Sequence, residues 1–123
     1  MSIPANLQYT REHEWVRIEG DIAHVGITQF AADALGDIVY VDLPKAGSTI
    51  ASGTIVGEAE STKSVGELYA PVSGEVVEAN QGVVDAPELV NSDPYGAGWM
   101  FSVRFTDTVE LISADEYESL IAE

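Results

Sequence analysis

Hydrophobic and polar residues alternate along most of this 123-residue chain, and Gly or Pro interrupts the alternation at short intervals. An alternation of period two is typical of half-buried strands, and the interruptions are typical of turns. Residues 13–18 and 22–27 flank the turn-forming residues 19–21 and predict a hairpin. Further strands are predicted at residues 37–43, 54–60, 67–70, 75–79 and 99–105. Turns are predicted at residues 71–74 and 91–96, and residues 80–82 are predicted to end the strand before them.

Two segments change to a helical period. In the first, Thr28 is suited to begin a short helix and Gly36 to end it. In the second, Ser113 and Glu116 match a capping box in which each residue bonds to the other's backbone. The apolar side of the first helix comprises Phe30, Ala31, Ala34 and Leu35, and that of the second comprises Tyr117, Leu120 and Ile121.

The order of these elements predicts the fold class. Many short strands with turn signals and two short helices predict a mostly β protein, a small sandwich or barrel. A chain of 123 residues has the length of one domain, so residues 1–123 are expected to fold as a single unit. A domain of this size buries enough surface to be stable without a disulfide or a structural metal.

The charge balance limits the classes of molecule that the chain is expected to bind. The chain has 21 acidic and five basic residues, for a formal net charge of −16. Such a charge repels phosphate, so we expect no binding of nucleic acid or of anionic membranes. Two interpretations of the acidity stay open at this point. It attracts partners with basic docking faces, or it is a solubility or salt-adaptation trait.

The sequence predicts neither catalysis nor a metal site. There is no cysteine, which excludes disulfides, cysteine-ligated zinc and a cysteine nucleophile. His13-Glu14 begins like a zinc-protease motif, but Arg17 stands where the second His is required. No nucleophile elbow and no phosphate-binding glycine loop occurs.

The N-terminal residues lack the pattern of a targeting peptide, and no apolar run approaches about 18 residues. We therefore expect a cytoplasmic location, or the mitochondrial matrix if a transit peptide has been removed. No membrane association is expected.

Lys63 is the residue whose interpretation decides the function. It is the only basic side chain between Lys45 and Arg104, and it lies in a polar break between two strand-like runs. An exposed lysine has a pKa near about 10.4 and is a poor nucleophile, so Lys63 would be a substrate of another enzyme and not a catalyst. Two interpretations follow from the pattern: an ordinary surface lysine, or an attachment point at a hairpin tip.

The residues around Lys63 resemble a known family. Glu60-Ser61-Thr62-Lys63-Ser64, followed by residues 69–76, is similar to the lipoyl-attachment region of glycine cleavage system H proteins. The resemblance continues in order over nearly the whole chain. It includes Tyr9 and residues 13–16, 26–28, 35–39, 43–44, 91–96, 98–100 and 117–120.

This resemblance implies a fold and a function. The fold would be a barrel-sandwich hybrid of two small antiparallel sheets, with a lipoyl-lysine at a hairpin tip and a C-terminal helix. The protein would be a carrier and not an enzyme, with lipoate attached covalently to Lys63. It would carry an aminomethyl group from a pyridoxal-phosphate-dependent glycine decarboxylase to a tetrahydrofolate-dependent aminomethyltransferase, and electrons to dihydrolipoyl dehydrogenase. Lipoate-attaching enzymes would be further partners, and a monomer is expected.

The resemblance also implies site residues. Glu14, Ile27 and Glu67 would line or border a cleft for the lipoyl arm, with Glu14 a contact for the cationic amine. Glu60 and Ser61 are candidates for recognition by the lipoate-attaching enzyme. The alternative interpretation is that Glu14 and Glu67 are ordinary solvated surface carboxylates. Two alternative functions stay open: a carrier that relays lipoate to other enzymes, and an unmodified acidic protein-interaction domain.

Overall fold

The computed structural model describes residues 3–122 of the chain. Nine strands and four helices follow one another in this part. The strands are β1 (Gln8–Tyr9), β2 (Glu14–Glu19), β3 (Ile22–Ile27), β4 (Ile38–Asp42), β5 (Thr49–Ile50), β6 (Ile55–Ser61), β7 (Val65–Tyr69), β8 (Val72–Ala79) and β9 (Phe101–Thr108). The helices are α1 (Gln29–Leu35), α2 (Gln81–Asp85), α3 (Leu89–Ser92) and α4 (Ala114–Ile121).

The strands form two sheets. One has six strands in the order β1-β2-β3-β9-β8-β5, and the other has three strands in the order β4-β6-β7. Every strand pairing is antiparallel. The prediction of a mostly β fold with two small antiparallel sheets and a C-terminal helix is therefore confirmed. The predicted first hairpin is β2–β3, and it turns through Gly20 at φ 63°.

The two predicted helices form where the capping residues place them. The Thr28 hydroxyl accepts a hydrogen bond of 3.2 Å from the Ala31 N–H and begins α1. The Ser113 hydroxyl does the same for the Glu116 N–H and begins α4. Within residues 3–122 no helix is long and apolar enough to cross a membrane.

The predicted turn at residues 71–74 is wrong, the predicted turn at residues 91–96 is right in part, and the predicted strand end at residues 80–82 also begins a helix. At residues 80–82, the Asn80 side chain accepts a hydrogen bond from the Gly82 N–H and begins helix α2. At residues 91–96, the first two residues belong to α3, and a turn follows in which the Gly96 N–H donates to the Asp93 carbonyl at 3.1 Å. At residues 71–74, β8 already begins at Val72 and pairs with β9 through an irregularity at Gly74. Asn and Gly favour turns, helix ends and bulges alike, so local sequence does not separate these outcomes.

The buried residues form two clusters. The larger cluster draws on strands of both sheets. The smaller one joins the N-terminal segment to α4, and in it the rings of Tyr9 and Tyr117 stack at 4.8 Å. Trp15 is fully buried there and lies against Gly26, where an added Cβ would come within 2.6 Å of the indole ring. The Thr28 N–H donates to the His13 carbonyl at 3.1 Å and so holds the N-terminal segment beside the start of α1.

Candidate functional site

The β6–β7 hairpin presents Lys63 at its tip. Glu60 and Val65 are the last residue pair before the turn. Ser61 is buried, and its hydroxyl accepts hydrogen bonds from the N–H groups of Lys63 and Ser64 at 3.2 and 3.0 Å. Ser61 therefore organises the turn from inside, whereas Glu60 is exposed at its edge. Recognition of either residue by an attaching enzyme stays a prediction.

The tip is tied to the neighbouring strand. The Thr62 N–H donates to the carbonyl of Asp37 at 3.2 Å, just before β4. Lys63 is exposed, and its side chain lies across Gly36 at the end of α1. The ion pairs found among residues 3–122 involve Arg17, His24 and Arg104, so the Lys63 ammonium takes part in none of them. The amine is thus accessible to another molecule while its backbone is held in place.

Asn91 fixes the backbone beneath the Lys63 side chain. Its amide oxygen accepts a hydrogen bond from the Ile38 N–H, and its amide nitrogen donates to the Gly36 carbonyl, both at 2.8 Å. One side chain therefore joins the end of α1 to the start of β4. Sequence reasoning missed this role because Asn91 stands in a stretch rich in turn-forming residues.

A groove of about 260 Å³, which we call the arm groove, lies next to the hairpin between α1 and β7. The structure brings the predicted Ile27 and Glu67 together in its wall. Leu35 of α1 packs closely against β7 because residue 66 is glycine. A Cβ on residue 66 would stand 3.0 Å from the Leu35 side chain. The lining residues are Glu12, His13, Ile27, Phe30, Ala31, Ala34, Leu35, Gly66, Glu67 and Leu68. In the sequence, the residues of this lining that lie on α1 were recognisable only as an apolar helix face.

Glu14 lies outside this groove. It is only 2% exposed and lines a neighbouring pocket of about 290 Å³, and exposed Glu12 borders both cavities. Its two carboxylate oxygens accept hydrogen bonds from the Tyr69 N–H at 2.7 Å and the Thr10 hydroxyl at 3.2 Å. Burial raises the pKa of Glu14 to about 8, although both hydrogen bonds favour the charged form. Glu14 is thus no solvated surface carboxylate, whereas Glu67 is exposed.

His13 packs in the groove wall. It adopts φ 68°, a conformation rarely used by residues other than glycine. Its Nδ1 lies 2.9 Å from the Tyr117 hydroxyl, which lies 2.7 Å from the Thr28 hydroxyl. Its ring contacts that of Phe30 at 4.9 Å. Burial lowers the pKa of His13, which favours a neutral ring in this network.

The remaining histidine has local partners as well. His24 Nε2 lies 2.8 Å from the Glu19 carboxylate, and its Nδ1 lies 2.7 Å from the Ser102 hydroxyl. Among residues 3–122, no three His, Asp or Glu side chains come together in an arrangement that could hold a metal ion.

Taken together, the fold and the site define a class of protein. Two sheets support a hairpin with one accessible lysine at its tip, and an apolar groove begins beside that lysine. This arrangement is that of a carrier domain, which holds an attached group at a fixed origin.

Comparison with known proteins identifies the family. The sequence profile described as "Glycine cleavage H-protein" matches residues 7–123. The chain is 58% identical to the glycine cleavage system H protein of Clavibacter sepedonicus over 123 residues, which cover all of both chains. It is also 58% identical to that of Thermobifida fusca over 98% of this chain and 96% of that protein. The crystal structure of the H protein from Mycobacterium marinum matches with a TM-score of 0.94 at 46% identity, covering 98% of this chain and 100% of that one.

The chain therefore belongs to the glycine cleavage H-protein family. Proteins of this family are lipoyl-bearing carriers of the glycine cleavage system and are not themselves catalytic. The chain accordingly works together with other components of that system.

Proposed function

We propose that the chain is one lipoyl-carrier domain, residues 1–123, and that lipoate is joined by an amide to Nζ of Lys63. The observation that carries this proposal is the position of Lys63, exposed at a hairpin tip and beside the arm groove. In the attachment step, neutral Nζ attacks the carbonyl carbon of lipoate that ATP has activated as a carboxylic–phosphoric anhydride. The bond from that carbon to the leaving oxygen breaks, and Nζ gives up a proton as the amide forms.

The arm groove is the proposed seat of the attached arm. Its apolar wall, which includes Ile27, suits an aliphatic chain, and Glu67 and Glu12 at its border suit a cationic amine. Glu14 lines the neighbouring pocket, which Glu12 joins to the groove, and it would act on the amine only in its ionised form. Lipoate, when attached, supplies a disulfide that accepts the aminomethyl group and the electrons of glycine oxidation.

The proposed partners are those of a complete glycine cleavage cycle. A pyridoxal-phosphate-dependent glycine decarboxylase loads the arm, a tetrahydrofolate-dependent aminomethyltransferase unloads it, and dihydrolipoyl dehydrogenase reoxidises it. A lipoate-attaching enzyme acts before them. The similar proteins named above are bacterial, which supports a cytoplasmic location for the chain.

Attachment is tested by intact mass after incubation with lipoate, ATP and a purified lipoate–protein ligase. The chain contains two lysines, Lys45 and Lys63, and both are exposed. Lys63→Arg should abolish the lipoyl adduct, whereas Lys45→Arg should leave it unchanged. An adduct on the Lys63→Arg variant would overturn the assignment.

The carrier role is tested separately with the lipoylated chain. Glycine and the decarboxylase should load it with an aminomethyl group, seen as a second mass increase that depends on the enzyme. A lipoylated chain that cannot be loaded would favour a lipoate relay. A chain that acquires no lipoate at all would favour an unmodified acidic interaction domain.

A further inference from the structure

Strand β4 carries an irregularity beside the Lys63 hairpin. Its pairing with β6 shifts register between Ile38 and Tyr40, so Val39 is the extra residue. The alternation of buried and exposed residues breaks there, and Val39 and Tyr40 are 52% and 53% exposed. β-Bulges re-aim side chains and are common next to functional sites. This bulge turns two consecutive large apolar side chains toward solvent.

The exposed side chains adjoin the tip that carries Lys63. The bulge lies between the last two residue pairs of β4 and β6 before that tip. Tyr40 pairs with Glu60, which pairs in turn with Val65 on β7. Val65 is also 52% exposed. We call this surface the bulge patch; it consists of the apolar Val39, Tyr40 and Val65, with the exposed Glu60 between Tyr40 and Val65.

Carboxylates border the bulge patch. Asp42, Glu58 and Glu67 lie opposite one another in the next row across the three strands, and all three are exposed. Like charges directly opposite on a sheet destabilise it. None of the ion pairs among residues 3–122 involves these carboxylates. A partner with basic side chains at the same spacing would relieve their repulsion while its apolar surface covers the patch.

We propose that the bulge patch and its carboxylate row dock the enzyme that attaches lipoate to Lys63. This inference rests on the proposed function of Lys63. The attaching enzyme must enclose Nζ itself, so it covers the side chains next to the tip, whereas enzymes that act on the attached arm meet its far end. The complementary surface is an apolar socket for Tyr40, ringed by Lys or Arg side chains.

The apolar part is tested with the unmodified chain, lipoate, ATP and a purified lipoate–protein ligase. The double variant Val39→Ser/Tyr40→Ser should raise the KM for the chain about tenfold, as loss of a buried aromatic anchor does. The kcat should stay within about twofold, because the patch does not touch the reacting nitrogen. The matched control is Ile18→Ser/Val84→Ser, which removes two apolar side chains that are each 40% exposed elsewhere. Circular dichroism verifies that both variants are folded.

The charged part is tested with Asp42→Asn/Glu58→Gln. Its KM should exceed that of the unaltered chain at low salt and approach it at high salt, since surface charges are screened. The control Glu78→Gln/Asp107→Asn removes the same charge from exposed positions on the six-stranded sheet and should leave the KM unchanged.

Each outcome decides a different point. An unchanged KM for the bulge variants, or an equal rise in the controls, would overturn the docking face while Lys63 is still modified. A defect confined to loading by the decarboxylase would overturn the choice of partner. An unaltered chain that the ligase does not modify would overturn the proposed function and this inference with it.

Discussion

The side chain of Lys63 lies directly over Gly36, with its Cε 3.0 Å from the point where a Cβ of residue 36 would stand. Gly36 ends α1 at φ 98°, a conformation that favours glycine. The two residues come together because Asn91 and the Thr62–Asp37 hydrogen bond hold α1 and the hairpin in register. The root of the proposed arm therefore rests on a surface that only glycine provides.

Gly36→Ala should disturb both the fold and the arm. The strained backbone costs about 1–3 kcal/mol of unfolding free energy, and the added methyl group displaces the Lys63 side chain. Urea unfolding measures the first effect, and the rate of lipoylation measures the second. Gly47→Ala is the control, since Gly47 has φ 91° but nothing within 4 Å of an added Cβ. Gly47→Ala should lose a similar amount of unfolding free energy and keep the lipoylation rate of the unaltered chain. Equal lipoylation rates for Gly36→Ala and Gly47→Ala would contradict the contact between Lys63 and residue 36.

Glu14 should make stability depend on pH. Its pKa is raised from an ordinary value of 4.5 to about 8, so between these values the folded state holds a proton that the unfolded state has lost. The contribution of Glu14 is fully present below about pH 4.5 and is lost as the pH rises toward 8. Glu14→Gln cannot ionise and keeps an oxygen for the Tyr69 N–H.

The unfolding free energy of the Glu14→Gln variant should therefore rise relative to that of the unaltered chain as the pH rises. The rise should be on the order of a few kcal/mol between the two pKa values. Urea unfolding at about pH 5, 7 and 9 measures the difference between the two proteins, which cancels the titration of the other carboxylates. Parallel curves would show that Glu14 is already ionised in the folded protein.

Asn91→Ala should weaken the support beneath the hairpin. The substitution leaves the Ile38 N–H and the Gly36 carbonyl without their partner, at a cost of about 1–3 kcal/mol. Asn91→Asp keeps the acceptor for Ile38 but loses the donor to Gly36. Hydrogen exchange should then accelerate at the Ile38 amide in the Ala variant more than in the Asp variant. Equal exchange in the two variants would contradict the proposed bond.

Filling the arm groove should expose a loaded arm to water. Ala34 is exposed on α1 and lines the groove, so Ala34→Phe occupies it without disturbing the core. An arm that loses about 1.4 kcal/mol of apolar burial spends about tenfold more time in solvent. Release of ammonia from the loaded chain should accelerate accordingly. Ala51→Phe, at an exposed position outside the groove, should leave the rate unchanged.

Local signals in the sequence predicted the hairpins and capped helices well. Thr28 and Ser113 begin helices because their hydroxyls bond to N–H groups three residues ahead. At Asn80 the sequence predicted the end of a strand, which β8 confirms, but not the helix α2 that the Asn80 side chain caps. A strand as short as β5, with two residues, is too short to show an alternation of its own. It forms only because β8 lies beside it.

The sequence by itself determined that one lysine stands in a polar break between two strands, and its neighbours placed it in a family of carriers. The tertiary structure decided what surrounds that lysine. The bonds from Tyr69 to Glu14 and from Ile38 to Asn91 join residues 55 and 53 positions apart. Such contacts depend on how the sheets pack, so no local pattern encodes the burial of Glu14, the support beneath Gly36 or the groove between α1 and β7.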